Sequence, residues 1–125
     1  MLDHHDIELL QGIRDQAIAN GTNYTIWFGH YPTSSIAMPS HNIRHIMSGP
    51  YLCGHFHTLN GMVNEMYANH QEGSMELEVG DFKDNRLFRV AAIDHGLFSF
   101  VDVKLHEYPI ILITNPKSSK FYMPG

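Results

Sequence analysis

The sequence has one cysteine, Cys53, and no cluster of lysine or arginine. A single cysteine excludes an internal disulfide and a cysteine-based zinc knuckle, and its place within an apolar run favours a small buried core residue. Acidic residues outnumber basic ones by 13 to 8, so the basic surface of a nucleic-acid-binding protein is missing. The longest apolar run late in the chain, Ile110 to Ile113, is far too short to span a bilayer. We therefore expect no nucleic-acid partner and no membrane segment in this chain.

The composition is otherwise that of a soluble globular domain, or of part of one. The 125 residues fit one domain by length, and a hydrophobic share of 43% is too high for a disordered tail. The start of the chain, Met1 to Asp6, is polar and acidic, unlike a signal peptide. The one unusual count is that of histidine, with ten residues, and we expect most of them to have ordinary structural roles.

The first half of the chain predicts alternating helices and strands. Asp6 to Asn20 carries apolar side chains at helical spacing, and Asn20-Gly21 is a typical helix stop. Tyr24 to Phe28 predicts a short buried strand, Ser40 to Met47 a short helix, and Tyr51 to Cys53 the next strand. This order predicts a parallel pair of strands joined by a crossover connection.

The second half predicts an antiparallel meander. Met75 to Val79 alternates apolar and acidic residues, as a half-exposed strand does. Leu87 to Ile93 and Leu97 to Leu105 predict two more strands, with turn residues before and between them. A last strand is predicted from Tyr108 to Thr114. We accordingly divide the chain into a domain portion, residues 1–107, and a strand with a linker toward a following domain, residues 108–125.

Two of the predicted strands end in a Gly-His pair. Tyr24 to Phe28 is followed by Gly29-His30-Tyr31-Pro32, and Tyr51 to Cys53 is followed by Gly54-His55-Phe56-His57. A glycine after a strand lets the backbone turn sharply, and the carboxyl edge of parallel strands is where open α/β sheets build their sites. Neutral imidazole suits zinc, iron and manganese. We expect His30, His55 and His57 to be metal ligands; taken singly, each is also compatible with a hydrogen-bonded core or loop residue.

These two motifs, in this order, resemble the closing motifs of the calcineurin-like metallophosphoesterases. The stretches 75–100 and 111–117 are similar to a eukaryotic branch of that family, in which the phosphoesterase domain is followed by further domains and membrane helices. The resemblance implies a layered α/β sandwich of which this chain is the C-terminal half. It also implies that His30 and His55 share one divalent ion, that His57 binds a second ion, and that the intact parent hydrolyses a phosphate ester.

The motifs that precede these in the family are not found in their expected places. The family uses Asp-x-His, Gly-Asp-x-x-Asp and Gly-Asn-His-Asp/Glu, which supply the metal-bridging aspartate and the histidine that protonates the leaving group. Three stretches spell parts of these motifs: Asp3-His4-His5, Gly80-Asp81-Phe82-Lys83-Asp84 and Asn69-His70. Two of them follow Gly-His-x-His, which is the wrong order, and Asp84-Asn85 predicts a hairpin turn. We interpret all three as local structure, and we assign no catalytic residue.

Without these carboxylates, two divalent ions would keep much of their charge uncompensated. We therefore expect the chain to be a phosphoesterase segment, inactive without the missing N-terminal half of its domain. The alternative is a non-catalytic interaction fragment or isoform, and a structural zinc-histidine site is a third hypothesis. Such a half-domain leaves sheet edges uncovered, which predicts marginal stability and a tendency to associate.

Overall fold

The computed structural model describes residues 2–36, 43–60, 62–63, 65–70 and 73–121. The helix and the strands are α1 (His4–Ala19), β1 (Trp27–Phe28), β2 (Gly49–Cys53), β3 (Met66–Asn69), β4 (Ser74–Glu78), β5 (Leu87–Asp94) and β6 (Leu97–Lys104). Three short 3₁₀ helices lie at Thr33–Ser35, Ile43–His45 and Ser119–Phe121. The mixture of helix and strands confirms the general α/β class.

Helix α1 begins in a reciprocal capping box. The Asp6 N–H donates to the Asp3 carboxylate at 2.9 Å, and the Asp3 N–H donates to the Asp6 carboxylate at 3.0 Å. The helix ends at Ala19 with Asn20 as its C-cap residue, and Gly21 then takes a left-handed φ of 68°. The predicted helix is confirmed, but Ile7 is its only buried residue. Most of its predicted apolar face is therefore uncovered in this chain.

The first sheet has four strands in the order β1-β2-β4-β3. Strand β1 runs parallel to β2, with Trp27 opposite Tyr51, which confirms the predicted parallel pair. The first strand is shorter than predicted, because only two residues of Tyr24 to Phe28 pair. The 3₁₀ turn Ile43–His45 lies within the helix predicted from Ser40 to Met47; Ser40 itself lies outside the described residues.

Strand β4 corrects two sequence predictions. It pairs parallel to β2 and antiparallel to β3, so it belongs to the first sheet and not to a meander. All five of its residues are buried, whereas the alternation of apolar and acidic residues predicted a half-exposed strand. The physical reason is its central place, since a strand paired on both sides and covered on both faces buries every side chain. Strand β3 was not predicted.

The second sheet is the antiparallel hairpin β5–β6, with a turn at His95-Gly96 in which both residues have positive φ. The meander prediction is right for these two strands. Because β4 and β5 lie in different sheets, the segment around Asp84 is a connecting loop and not a hairpin turn. The strand predicted from Tyr108 to Thr114 is wrong: residues 107–114 are described throughout and form no strand. The segment contacts β5 through a side chain, since the Thr114 hydroxyl donates to the Asp94 carboxylate at 2.9 Å, but it forms no backbone ladder.

The two faces of the four-stranded sheet pack against different layers. On one face, Tyr51 and Cys53 pack with Ile43 and Met47, and Leu10 of α1 lies against this cluster. On the other face, Met75 and Leu77 pack with Phe98 of the hairpin, and Phe100 borders them. The chain is thus built as a helical layer, a four-stranded sheet and a two-stranded sheet.

Candidate functional site

The two Gly-His segments leave the first sheet side by side. The parallel ladder continues past the ends of β1 and β2, since the Gly29 N–H donates to the Leu52 carbonyl and the Gly54 N–H donates to the His30 carbonyl, at 3.0 and 3.2 Å. His30 and His55 therefore lie at the same edge, with His30 Nε2 3.1 Å from His55 Nδ1. We call residues 29–35 the first histidine loop and residues 54–60 the second histidine loop.

Aromatic rings surround this pair of imidazoles. The His30 and His55 rings meet edge to face at a centroid distance of 5.0 Å, and the Tyr31 ring lies 4.6 Å from that of His55. The Tyr51 hydroxyl donates to the Tyr31 carbonyl at 2.6 Å and so fixes the first histidine loop on β2. Both histidines line a cavity of about 590 Å³ whose other walls, including Trp27, are largely apolar. Ring packing thus holds the two imidazoles, which line one side of an apolar cavity.

Gly29 is required for space and not for a sharp turn. Neither Gly29 nor Gly54 takes a positive φ, so the turn expected at these positions does not depend on glycine's conformational freedom. A Cβ atom on Gly29 would collide with the Tyr51 hydroxyl, whereas a Cβ atom on Gly54 would lie 3.4 Å from Val79 Cγ1, an ordinary contact. The first glycine therefore allows the close approach of Tyr51 to the first histidine loop.

His57 faces a different neighbour. It has a left-handed φ of 55°, its side chain is 48% exposed, and its Nδ1 lies 4.0 Å from a carboxylate oxygen of Asp81. It lines cavities other than the one that His30 and His55 share. The structure thus brings two of the three predicted ligands into contact and directs the third toward Asp81.

At 3.1 Å, His30 Nε2 and His55 Nδ1 are at hydrogen-bond distance, so one ring nitrogen donates to the other. The same spacing is close to that of two ligands of one ion, provided that this hydrogen bond opens and both lone pairs face the ion. Zinc holds imidazole nitrogens at ~2.0–2.1 Å in a tetrahedron, which separates two of them by ~3.4 Å, close to the 3.1 Å observed. Within the described ranges, no group of three or more His, Cys, Asp or Glu side chains is placed to hold a metal ion. The assignment of His30, His55 and His57 as ligands stays a prediction.

The three stretches that spell earlier family motifs have local structural contacts. Asp3 caps α1. Asp81 accepts hydrogen bonds from the Asn85 side chain and from the Asp84 and Asn85 N–H groups, and these bonds lower the pKa of its carboxyl group to about 2. His70 is buried, with Nδ1 2.8 Å from the Ser74 hydroxyl. Each contact accounts for its residue without a ligand.

Sequence reasoning missed two acidic residues beside the histidine loops. Glu76 and Glu78 of β4 are buried, and each accepts hydrogen bonds from one loop: Glu76 from Thr33, and Glu78 from Phe56 and His57. Their alternation with Met75 and Leu77 was the available signal. It indicated a solvent-facing acidic edge because nothing in the sequence places β4 at the centre of a sheet.

No protein-family model matches this chain, and no solved structure matches it. Among the residues that the structure describes, no helix combines the length and hydropathy that crossing a membrane requires. Transmembrane protein 62 of the mouse is 54% identical to this chain over 99 residues, which is 78% of the chain. This match supports a likeness to transmembrane protein 62. The matched segment is 15% of the mouse protein, so the chain is similar to a short part of transmembrane protein 62.

Proposed function

We propose that this chain is a segment of a calcineurin-like metallophosphoesterase domain in which His30 and His55 ligate one divalent metal ion. The observation that carries the proposal is the 3.1 Å separation of His30 Nε2 and His55 Nδ1 at the adjacent ends of two parallel strands. The order of the two Gly-His motifs supports it. The similarity to transmembrane protein 62 supports a longer, membrane-anchored parent.

In the intact domain, zinc, iron or manganese ions would supply Lewis acidity and a hydroxide nucleophile toward a phosphate ester. This chain's part is to hold and orient the imidazoles. His57 completes the set by resemblance, with Asp81 beside its ring. The bridging carboxylate and the proton donor for the leaving group would come from the missing half of the domain, so we expect no turnover by this chain alone.

The test is the metal content of the chain after dialysis, by elemental analysis, with His30→Ala and His55→Ala as variants. Two imidazoles hold such an ion weakly, so the dialysis buffer contains the metal; we then expect zinc, iron or manganese near one ion per chain, lost in both variants. His106→Asn is the matched control, because His106 is exposed and has a positive φ of 76°, which asparagine tolerates. Metal-free wild-type protein, or metal kept by both alanine variants, contradicts the proposal.

The second candidate is a non-catalytic interaction segment, and Phe28 favours it. Phe28 lies on the edge strand β1 and is 85% exposed, which is unusual for so large an apolar residue. This function predicts that Phe28→Ser lowers self-association in sedimentation velocity, whereas Ile111→Ser, at an exposed residue outside the strands, does not. A monomeric wild-type chain would contradict it.

A further inference from the structure

We propose that Glu76 and Glu78 are positioning residues, each holding one histidine loop so that His30 and His55 meet at one point. The effect on metal binding rests on the proposed function, but the hydrogen bonds that support the positioning role join protein atoms only. The two carboxylates are two residues apart on β4 and so project from the same face of the sheet. That face is the one that carries Tyr51 and Cys53, their partners in register on β2.

Glu78 holds the second histidine loop. One of its carboxylate oxygens accepts the N–H groups of Phe56 and His57, the latter at 2.9 Å, and the other oxygen accepts the Cys53 thiol at 3.3 Å. Two consecutive N–H groups on one oxygen fix the orientation of both peptide planes. These two peptide groups come directly after His55, and His57 has a left-handed backbone. The carboxylate therefore fixes the backbone conformation of the Gly-His-x-His segment.

Glu76 holds the first histidine loop in the same way. Its Oε2 atom accepts the Thr33 N–H at 3.0 Å and the Thr33 hydroxyl as well. Arg44 Nε donates to the same hydroxyl at 2.9 Å, so Thr33 links a buried carboxylate to a guanidinium. Thr33 is buried and lies three residues after His30. This anchor, with the Tyr51 hydroxyl on Tyr31, leaves the segment after His30 little freedom to move.

The strand that carries both anchors is itself fixed from the other side. Arg89 of the hairpin donates to the Leu77 and Glu78 carbonyls at 3.2 and 2.9 Å, while Asp102 holds its guanidinium through two bonds of 2.7 and 2.8 Å. A buried carboxylate is unfavourable unless it is paired or fully hydrogen-bonded. Here the partners are loop N–H groups, the Thr33 hydroxyl and the Cys53 thiol, and the buried His70 Nε2 lies 3.7 Å from Glu76. The hydrogen bonds of Glu76 and Glu78 thus fix the position of the imidazole pair relative to β4.

The test compares Glu76→Gln and Glu78→Gln with the control Glu107→Gln, at an exposed residue beyond β6. Glutamine keeps the shape of the side chain and removes the charge. We expect both variants to stay folded by circular dichroism and to bind Zn²⁺ ~10–100-fold more weakly by calorimetry, as the loss of a residue that orients ligands does. We also expect Glu78→Asp, which keeps the charge, to recover part of the affinity. Unchanged affinity in both glutamine variants contradicts the proposal.

A metal-free readout separates this proposal from the proposed function. If the wild-type chain binds no Zn²⁺, the function fails, and the ring C–H signals of His30 and His55 in NMR spectra decide the positioning role. Shifted ring signals in both glutamine variants, with those of the exposed His95 unchanged, support the role; unchanged ring signals contradict it.

If a glutamine variant does not fold, hydrogen exchange of the wild-type chain decides instead. The Thr33, Phe56 and His57 amides should exchange slowly. Exchange at the rate of an open loop would overturn the proposal.

Discussion

The centre of the first sheet and the hairpin show opposite relations between polarity and burial. Strand β4 alternates apolar with acidic residues, and all of it is buried. Strand β5 has the more apolar sequence, yet all eight of its residues are partly or fully exposed. In these two strands, packing in the fold and not the polarity of the residues decides what is buried; β6, which pairs with β5, buries Phe98, Ser99 and Val103. The acidic residues of β4 accept hydrogen bonds from loop N–H groups, from the Thr33 hydroxyl and from the Cys53 thiol, which is what makes their burial possible.

The largest effect should come from removing an apolar side chain at the centre. Leu77 of β4 is 1% exposed and packs between the sheets, whereas Ile93 of β5 is 52% exposed. Leu77→Ala should lower the free energy of unfolding by ~2–5 kcal/mol, through lost burial and the cavity that remains. Ile93→Ala should lower it by less than ~1 kcal/mol. Urea denaturation monitored by circular dichroism measures both changes. Equal losses of unfolding free energy in the two variants would contradict the contrast between the buried β4 and the exposed β5.

A smaller effect separates two glycines that share a backbone conformation. Gly49 at the start of β2 and Gly96 in the hairpin turn have φ values of 83° and 78°. A Cβ atom on Gly49 would lie 2.6 Å from the Thr25 carbonyl oxygen, whereas one on Gly96 meets nothing within 4 Å. Gly96→Ala should therefore lower stability by ~1–2 kcal/mol through backbone strain alone. Gly49→Ala should cost more than this, because the collision adds to the strain. Matched urea midpoints for the two variants would contradict the argument.

The smallest expected effect is on the pH dependence of stability above pH 9, and it comes from Tyr51. Burial raises the pKa of the Tyr51 hydroxyl to about 12, against 10.0 for its ordinary value. A raised pKa in the folded chain means that Tyr51 contributes fully to stability below pH 10 and loses that contribution as the pH rises toward 12. Tyr51→Phe should flatten this fall in stability, which thermal denaturation between pH 9 and 12 measures. An unchanged pH dependence in the variant would show that Tyr51 is solvated in the folded chain.

The features that sequence predicted are those with local signals. The helical spacing after Asp6, the stop at Asn20-Gly21 and the turn at Asp94-His95-Gly96 each depend on a few neighbouring residues, and the structure has all of them. The contact of His30 with His55 was also predictable, since both follow strands that pair in parallel. A motif at a strand end is informative because the sheet itself brings such ends together.

The features that sequence missed depend on distant partners. Residues 108–114 have the composition of a strand, but composition does not determine whether the backbone forms a ladder, and here it forms none. The direction of His57 depends on a left-handed backbone and on Asp81, more than twenty residues away. The role of Glu78 follows only once β4 is known to lie beside β2. Local periodicity carries none of this information.

The thiol of Cys53, at the end of β2 just before the second histidine loop, allows the local opening of the structure to be measured. It is buried, it donates to the carboxylate of Glu78, and burial raises its pKa above the ordinary value, so it should not react while that contact is closed. No other cysteine competes for a labelling reagent. The rate at which a maleimide or a disulfide reagent modifies the native chain therefore reports how often β2 and β4 separate at this point, and gives an opening free energy for this one position without unfolding the protein.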